Sequence, residues 1–230
     1  MRARSFWPAA AMVAIALGFA VPAVRGADEK LLQNVRGDVT YIAYPSGAAH
    51  PVAVAASLPL NDDDVAATGS ASMGAIVLPD SSRIIMASNT TVKLDTFNAT
   101  DNSGHFVVAN GKLRFRVDHP SGAKANYTFT TPTGQIGVRG TEGDISVDAL
   151  DGVRVNVYHL SDASLPVTVN MIDGQTFSIP AGQKIWMRWQ SGKLVGKVLP
   201  LTKAEVDRFS ELGAPATIDG GLAPAATPAP

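Results

Sequence analysis

Along much of the chain, apolar and polar residues alternate one for one. Leu113-Arg-Phe-Arg-Val117 sets apolar against basic, and Val153-Arg-Val-Asn-Val157 and Val167-Thr-Val-Asn-Met171 repeat the pattern. Thr91-Val-Lys-Leu-Asp95 and Thr176-Phe-Ser-Ile179 are shorter versions. Successive side chains of an extended chain point to opposite faces, so a period of two sends one set to a core and the other outward. The runs are punctuated by Asn110-Gly111, Asp151-Gly152, Asp173-Gly174, Ala181-Gly182 and Ser191-Gly192, pairs that accept the backbone of tight hairpins. This pattern predicts an all-β chain of many short strands, in a sandwich or a solenoid-like stack. No fixed repeat length separates the runs, so a regular β-helix does not follow from spacing.

One stretch breaks the period. Thr202-Lys-Ala-Glu205 has the form of a capping box, Val206, Phe209 and Leu212 share one helical face, and Gly213 supplies a stop. A short helix is expected over 201–213, packed on the end of a sheet.

The two ends differ in composition from the middle. Arg2 and Arg4 precede an apolar run from Ala9 to Val24 that is short and rich in Ala and Gly for a spanning helix. Val24 and Gly26 place small side chains three and one positions before Ala27. Residues 1–26 therefore read as a signal peptide cut after Gly26, with Ala23 as the neighbouring alternative; an uncut amino-terminal anchor is the competing reading. From Ala214 to Pro230 the chain is mostly Ala, Pro, Thr and Gly. Such a segment buries too little apolar surface to offset the entropy of ordering, so a disordered tail is expected over 214–230. Residues 27–200 remain as one β domain.

Composition narrows the chemistry. The 230 residues include no cysteine, which excludes disulfides, zinc thiolates, thiol nucleophiles and a lipidated cysteine. The chain carries 19 basic and 20 acidic side chains, and residues 1–26 hold three of the arginines, Arg2, Arg4 and Arg25. Removing that leader leaves 16 against 20, a net charge near −4, which does not suggest a nucleic-acid partner. His50, His105, His119 and His159 lie in unrelated segments without ligand spacing. Asn61-Asp-Asp-Asp64 lacks the alternating acid–glycine pattern of a calcium loop and reads as a solvated turn. No nucleophile elbow, phosphate loop or dinucleotide fingerprint occurs. No catalytic residue, metal ligand or cofactor is expected, and no carboxylate pair stands out for glycoside hydrolysis.

The most specific segment is Thr131-Pro-Thr-Gly-Gln-Ile-Gly-Val-Arg-Gly-Thr-Glu142. It resembles the central motif of FecR-like domains, in which a Thr-Pro turn leads into a strand ending in Val-Arg-Gly-Thr. Other parts follow in the family's order: Val35-Arg-Gly-Asp-Val39, Asp64-Val65 with Thr68-Gly69, Ala75 to Ile84, Asn110 to Val117, and Ile179-Pro-Ala-Gly-Gln183. The resemblance spans roughly residues 35–195. Ser81 and Gly143 depart from it, standing where the family usually has Gly and often an aromatic residue, so the strand end at Gly143 is expected to be looser. The cytoplasmic anti-sigma segment and membrane anchor of the family's iron-transport regulators are not expected here, because residues 1–26 read as a leader in that place. The resemblance implies an all-β module of the bacterial envelope, periplasmic or secreted, engaged in protein interaction or sensing without known catalysis.

Two places offer a surface for a partner. Arg139 stands between Gly137 and Gly140, either pinning a turn by pairing with Glu142 or Asp144 or presented to a partner. In Lys184-Ile-Trp-Met-Arg-Trp-Gln190, alternation puts Ile185, Met187 and Trp189 on one face and Lys184, Trp186, Arg188 and Gln190 on the other. If the first face is core, Trp186 stands outside between cations, suited to a protein anchor or to stacking on a sugar. Arg114, Arg116, Arg154 and Tyr158 point outward in their own strands and would extend this into a basic face if those strands are neighbours. The sequence thus points to a non-catalytic envelope module that binds another envelope protein, with a glycan- or peptidoglycan-binding module as the alternative and an envelope hydrolase behind both.

Overall fold

A computed structural model describes residues 29–118 and 125–222. The leader expected over 1–26, His119 and the last eight residues of the tail lie outside them. The chain forms β1 (Leu31–Arg36), β2 (Val39–Ile42), β3 (Ala49–Val52), β4 (Ser57–Pro59), β5 (Val65–Thr68), β6 (Met73–Val77) and β7 (Arg83–Met86). It continues through β8 (Thr91–Asn98), β9 (Ser103–Arg116), β10 (Asn126–Thr131), β11 (Gly134–Val138) and β12 (Thr141–Asp148). Then come β13 (Gly152–Leu160), β14 (Val167–Met171), β15 (Thr176–Ile179), β16 (Gln183–Gln190) and β17 (Lys193–Pro200). All five alternating runs fall on strands, with only Val117 lying one residue past β9, so the all-β expectation holds.

The strands pair into two sheets. The first runs β4-β1-β6-β7-β9-β12-β13-β16-β17. The second runs β3-β2-β5-β8-β9-β10-β11-β14-β15, and only its β9–β10 pair is parallel. The inward faces meet in one core: Phe115 of the first sheet packs on Phe129 of the second, ring centroids 5.1 Å apart. Phe106 and Tyr127 continue the aromatic stack.

Strand β9 belongs to both sheets, which corrects one turn. Asn110-Gly111 is not a hairpin but the point where β9 leaves β8 in the second sheet and begins pairing with β12 in the first. Gly111 has φ +94°, and a Cβ there would collide with Thr90. The positive φ serves a sharp bend in a continuous strand rather than a reversal. The other four Gly turns do separate paired strands or neighbours in the chain. Arg139-Gly140 makes a second corner, between β11 in the second sheet and β12 in the first.

Gly143 does not loosen its strand. It is buried in β12, at a register shift against β13, and a Cβ there would sit 2.7 Å from Phe115 Cζ and against the Asn156 carbonyl. Phe115, arriving from β9, fills the space an aromatic residue at 143 would occupy. Asp64 is also corrected. It is 1% exposed and accepts from the backbone N–H of Asn61 (2.7 Å), the backbone N–H of Tyr44 (2.8 Å) and the Tyr41 hydroxyl (2.9 Å). Its neighbours Asp62 and Asp63 pair with Lys30 and Lys93, each at 2.6 Å. Asn61 and Asp62 stay exposed in the expected turn, whereas Asp64 is a buried structural knot at its end.

The C-terminal region leaves β17 and crosses the outer face of the first sheet. The expected helix forms in two pieces, α1 (Lys203–Asp207) and a 3₁₀ turn at Ser210–Leu212. The Glu205 half of the capping box is made, its carboxylate accepting from the Thr202 backbone N–H at 3.1 Å and from the Thr202 hydroxyl. Phe209 and Leu212 are buried with Ala87 against Met73 and Ile85, in a small second core. The tail expected to be disordered from Ala214 is instead bonded to the sheet as far as it is described. Ala216 N–H donates to Glu142 (2.9 Å), Asp219 N–H donates to the Tyr158 carbonyl (2.8 Å), and the Asp219 carboxylate lies 2.7 Å from His159 Nδ1. Polar partners offered by the sheet order a segment that has little apolar surface of its own. We call residues 202–222 the strap.

Candidate functional site

The register decides what the outer face of the first sheet presents. Arg114 on β9 stands opposite Asp144 on β12, Asp144 opposite Asn156 on β13, and Asn156 opposite Lys184 on β16. One row away, Arg116 faces Glu142, which faces His159. The basic positions on β9, β13 and β16 are thus adjacent enough to form one surface, but β12 inserts carboxylates between them. The face is a mosaic of opposite charges and not a basic patch.

The strap covers the first of these rows. Arg114 is 4% exposed, and Asp144 and Tyr158 are fully buried. Arg114 donates to Asp144 through Nε at 2.7 Å and Nη2 at 3.1 Å, and through Nη1 to the Gly213 carbonyl at 2.7 Å. Tyr158 donates its hydroxyl to Asp144 as well. Burial, and then the neighbouring Asp144 carboxylate, raise the Tyr158 hydroxyl far above its ordinary value, so it stays a donor. Sequence reading placed Arg114 and Tyr158 outward; the side is right, but the strap removes them from solvent. No local signal in β9 or β13 announces this, because the covering residues are about 60 to 100 positions further on.

Lys184 is corrected in the same way. It is 7% exposed and is held by Glu205 of α1, so in the docked arrangement it tethers the strap instead of standing open at the surface. Burial raises the Glu205 carboxyl, but the bonds from Lys184 and Thr202 outweigh it and leave the group below its ordinary 4.5. A carboxyl depressed on folding stabilises above its unfolded value and loses that contribution as pH falls through the folded one. Strap protection in hydrogen exchange is therefore expected to persist down to about pH 4.5 and to decay below it. In Glu205→Gln this pH-dependent component should vanish; equal decay in both proteins would refute it.

Trp186 and Arg188 stay at the surface beyond the strap. The Arg188 guanidinium carbon lies 4.0 Å from the Trp186 ring centroid and that of Arg154, from the neighbouring strand, 4.8 Å. The indole N–H donates to the Asp151 carbonyl at 2.6 Å, and Arg154 pairs with Asp151 at 2.6 Å. Lys197 of β17 stands opposite Trp186. Arg188 and Lys197 have no ion pair with a described residue. Trp189, expected on the core face, is 59% exposed, because β16 runs on to the Ser191-Gly192 turn past the packed layer. Two indoles and a group of cations thus crowd the β16–β17 end of the sheet.

Arg139 is exposed at the corner after β11. It makes no ion pair with a described residue; the Asp144 partner expected for it is taken by Arg114. The pinning role belongs to Arg114, and Arg139 remains free for contact.

Sequence reading missed one further group. On the outer face of the second sheet, Asp95 Oδ2 lies 2.8 Å from His105 Nδ1, and His105 Nε2 lies 2.8 Å from Thr130 Oγ1. The order carboxylate–imidazole–hydroxyl is that of a nucleophile relay. Thr130, however, lies in β10, which is paired on both sides by β9 and β11. Its neighbouring backbone N–H groups serve the ladders, leaving no convergent pair of donors for an oxyanion. Lys93 and His105 together hold Asp95 below the ordinary carboxylate range, the Lys93 bond contributing most. His50 stacks on Tyr41 and His159 meets Asp219, so the three described histidines stay apart.

The family described as FecR protein matches residues 64–159. This segment is a FecR domain. It includes the Thr131–Glu142 motif, both sheet corners and the Arg114–Asp144–Tyr158 cluster, whereas Trp186, Arg188 and the strap lie beyond the matched residues. Two crystal structures described as a putative anti-sigma factor from Parabacteroides distasonis are similar in fold. One is 16% identical with a TM-score of 0.51, covering 65% of this chain and 64% of that one. The other is 16% identical with a TM-score of 0.47, covering 58% of each. The present chain therefore spans less than two thirds of either solved chain. No curated protein matches it. Among the described residues no helix is long and apolar enough to cross a membrane.

Proposed function

We propose that this chain is a signalling or regulatory module of the bacterial envelope, exported to the periplasm or beyond, which acts by binding another envelope protein and not by catalysis. The FecR domain supports the regulatory class, and the leader-like residues 1–26 support export. The interaction reading is carried by the Arg154–Trp186–Arg188 stack. Stacking on an indole holds a guanidinium in place while its N–H edge stays open, which suits an acidic partner surface. Arg188, Lys197 and the exposed Trp189 would then make the contact, with Arg139 a separate exposed cation elsewhere.

The glycan alternative is less well supported, because the Trp186 ring on which a sugar would stack already carries two guanidiniums. Crosslinking the full chain in envelope extract, alongside sedimentation with purified peptidoglycan, separates the two. A protein partner is expected, with its yield reduced about tenfold by Arg188→Glu, a difference of about 1.4 kcal/mol. Cosedimentation with peptidoglycan and no protein adduct would replace this reading with the glycan one.

A further inference from the structure

The strap fits its own face incompletely. Between Leu212 and Ala216 it bridges an open cavity of about 220 Å³, whose floor is Arg83, Ile85, Arg114, Arg116 and Glu142. Arg114 is already paired with Asp144, so the cations left facing the opening are Arg83 and Arg116, and the one carboxylate beside them, Glu142, accepts from the Ala216 N–H. Arg83 and Arg116 stand directly opposite each other on β7 and β9. Like charges in that relation repel, and an anion between them would relieve the repulsion. Arg116 has Asp118 at 3.2 Å, but Arg83 pairs with no described residue. Around these cations the strap places Leu212, Ala214 and Ala216, none of them charged, and the two alanines are exposed.

The row beneath the strap is also unlike a permanently covered surface. It carries Arg114, Asp144, Asn156 and Lys184, and the Asn156 side-chain oxygen is buried without a hydrogen-bond partner. A face that is always covered is more cheaply covered in apolar side chains, since each buried polar group must be matched or it destabilises. The strap's contacts with this face include Glu205 on Lys184, Phe209 with Leu212 on Ala87, Met73 and Ile85, and the Gly213 carbonyl on Arg114, followed by the Ala216 and Asp219 bonds to the sheet.

We propose that this face is a peptide-docking groove which the chain fills with its own strap. Its partner is a segment bearing an acidic residue, a phenylalanine four positions later and a leucine three after that, followed within two or three residues by a second acidic side chain. The first three features copy Glu205, Phe209 and Leu212. The last enters the cavity between Arg83 and Arg116, where the strap has alanine, and lets the partner displace it. This surface is distinct from the Trp186 stack, so Arg188→Glu should leave it unaffected.

The test uses the full chain and a labelled synthetic peptide of residues 202–217 carrying Ala214→Glu. Phe209→Ala combined with Leu212→Ala loosens the strap in cis. The peptide is expected to bind that variant about tenfold more tightly than it binds the wild-type chain. It should also exceed the unsubstituted peptide by about tenfold, and Arg83→Ser should remove that advantage. Equal binding to wild type and loosened chain, no binding to a loosened chain that keeps its β circular dichroism, or equal binding of the two peptides overturns the proposal. If the double variant fails to fold, Glu205→Lys loosens the strap without touching a core side chain, and the same outcomes apply.

Discussion

Asp144→Ala is expected to lower the free energy of unfolding by about 3–5 kcal/mol, the range for removing one partner of a buried ion pair. The carboxylate is the hub of its cluster, receiving Nε and Nη2 of Arg114 and the hydroxyl of Tyr158. Without it, Arg114 keeps its contacts with the Leu212 and Gly213 carbonyls but carries a charge that is 4% exposed and lacks a counter-ion. The cost lies in that uncompensated charge, not in an intrinsic attraction worth several kcal/mol. The control makes the distinction: Arg114→Met with Asp144→Leu removes both charges and should recover most of the loss. Urea unfolding of the single and double variants measures both. A single-variant loss below about 1 kcal/mol would mean that water reaches the site and that the strap seals it less well than its contacts imply.

Phe209→Ala should remove about 3–5 kcal/mol of packing where the ring is lost. The ring is 1% exposed and, with Leu212 and Ala87, makes up a core separate from that between the sheets. That separation sets a ceiling on the effect. Once the strap detaches, further weakening of its contacts no longer registers in global unfolding, so the measured global loss should be smaller than the local one. Hydrogen exchange resolves the two. The amides of Arg208, Phe209, Leu212, Ala216 and Asp219, each bonded in the docked strap, should lose protection together. The β10–β11 ladder should keep its protection. Uniform deprotection across both regions would show the strap to be part of the main cooperative unit.

These expectations could not have come from the strands alone. Period two in β8, β9, β13, β14 and β15 identified half-buried strands correctly, because alternation is a property of each extended segment by itself. It also assigned Arg114, Tyr158 and Lys184 to the side away from the inter-sheet core. It could not tell that a segment near the C-terminus would cover them. In β13, Val153, Val155 and Val157 are buried in the core, while Asn156 and Tyr158 are buried beneath the strap. Polar composition on that face records its direction, not its exposure. Arg139 shows the reverse: its sequence neighbours Glu142 and Asp144 suggested a pair, but the corner after β11 turns it outward while β9 brings Arg114 to Asp144.

Local chemistry was therefore legible wherever it depends on a few adjacent residues: strand periodicity, the Glu205 cap, most glycine turns and the ordered FecR-like motif. Pairing was not, because register is set by residues far apart in the chain. It is register that places Asp144 among the basic strands, turning an expected basic face into alternating charge. It is also register that sets Arg83 beside Arg116, and the path of the strap that leaves their cavity open. Alternation assigns each side chain to one face of its strand; which residues share that face, and what lies over it, depends on contacts that no single segment contains.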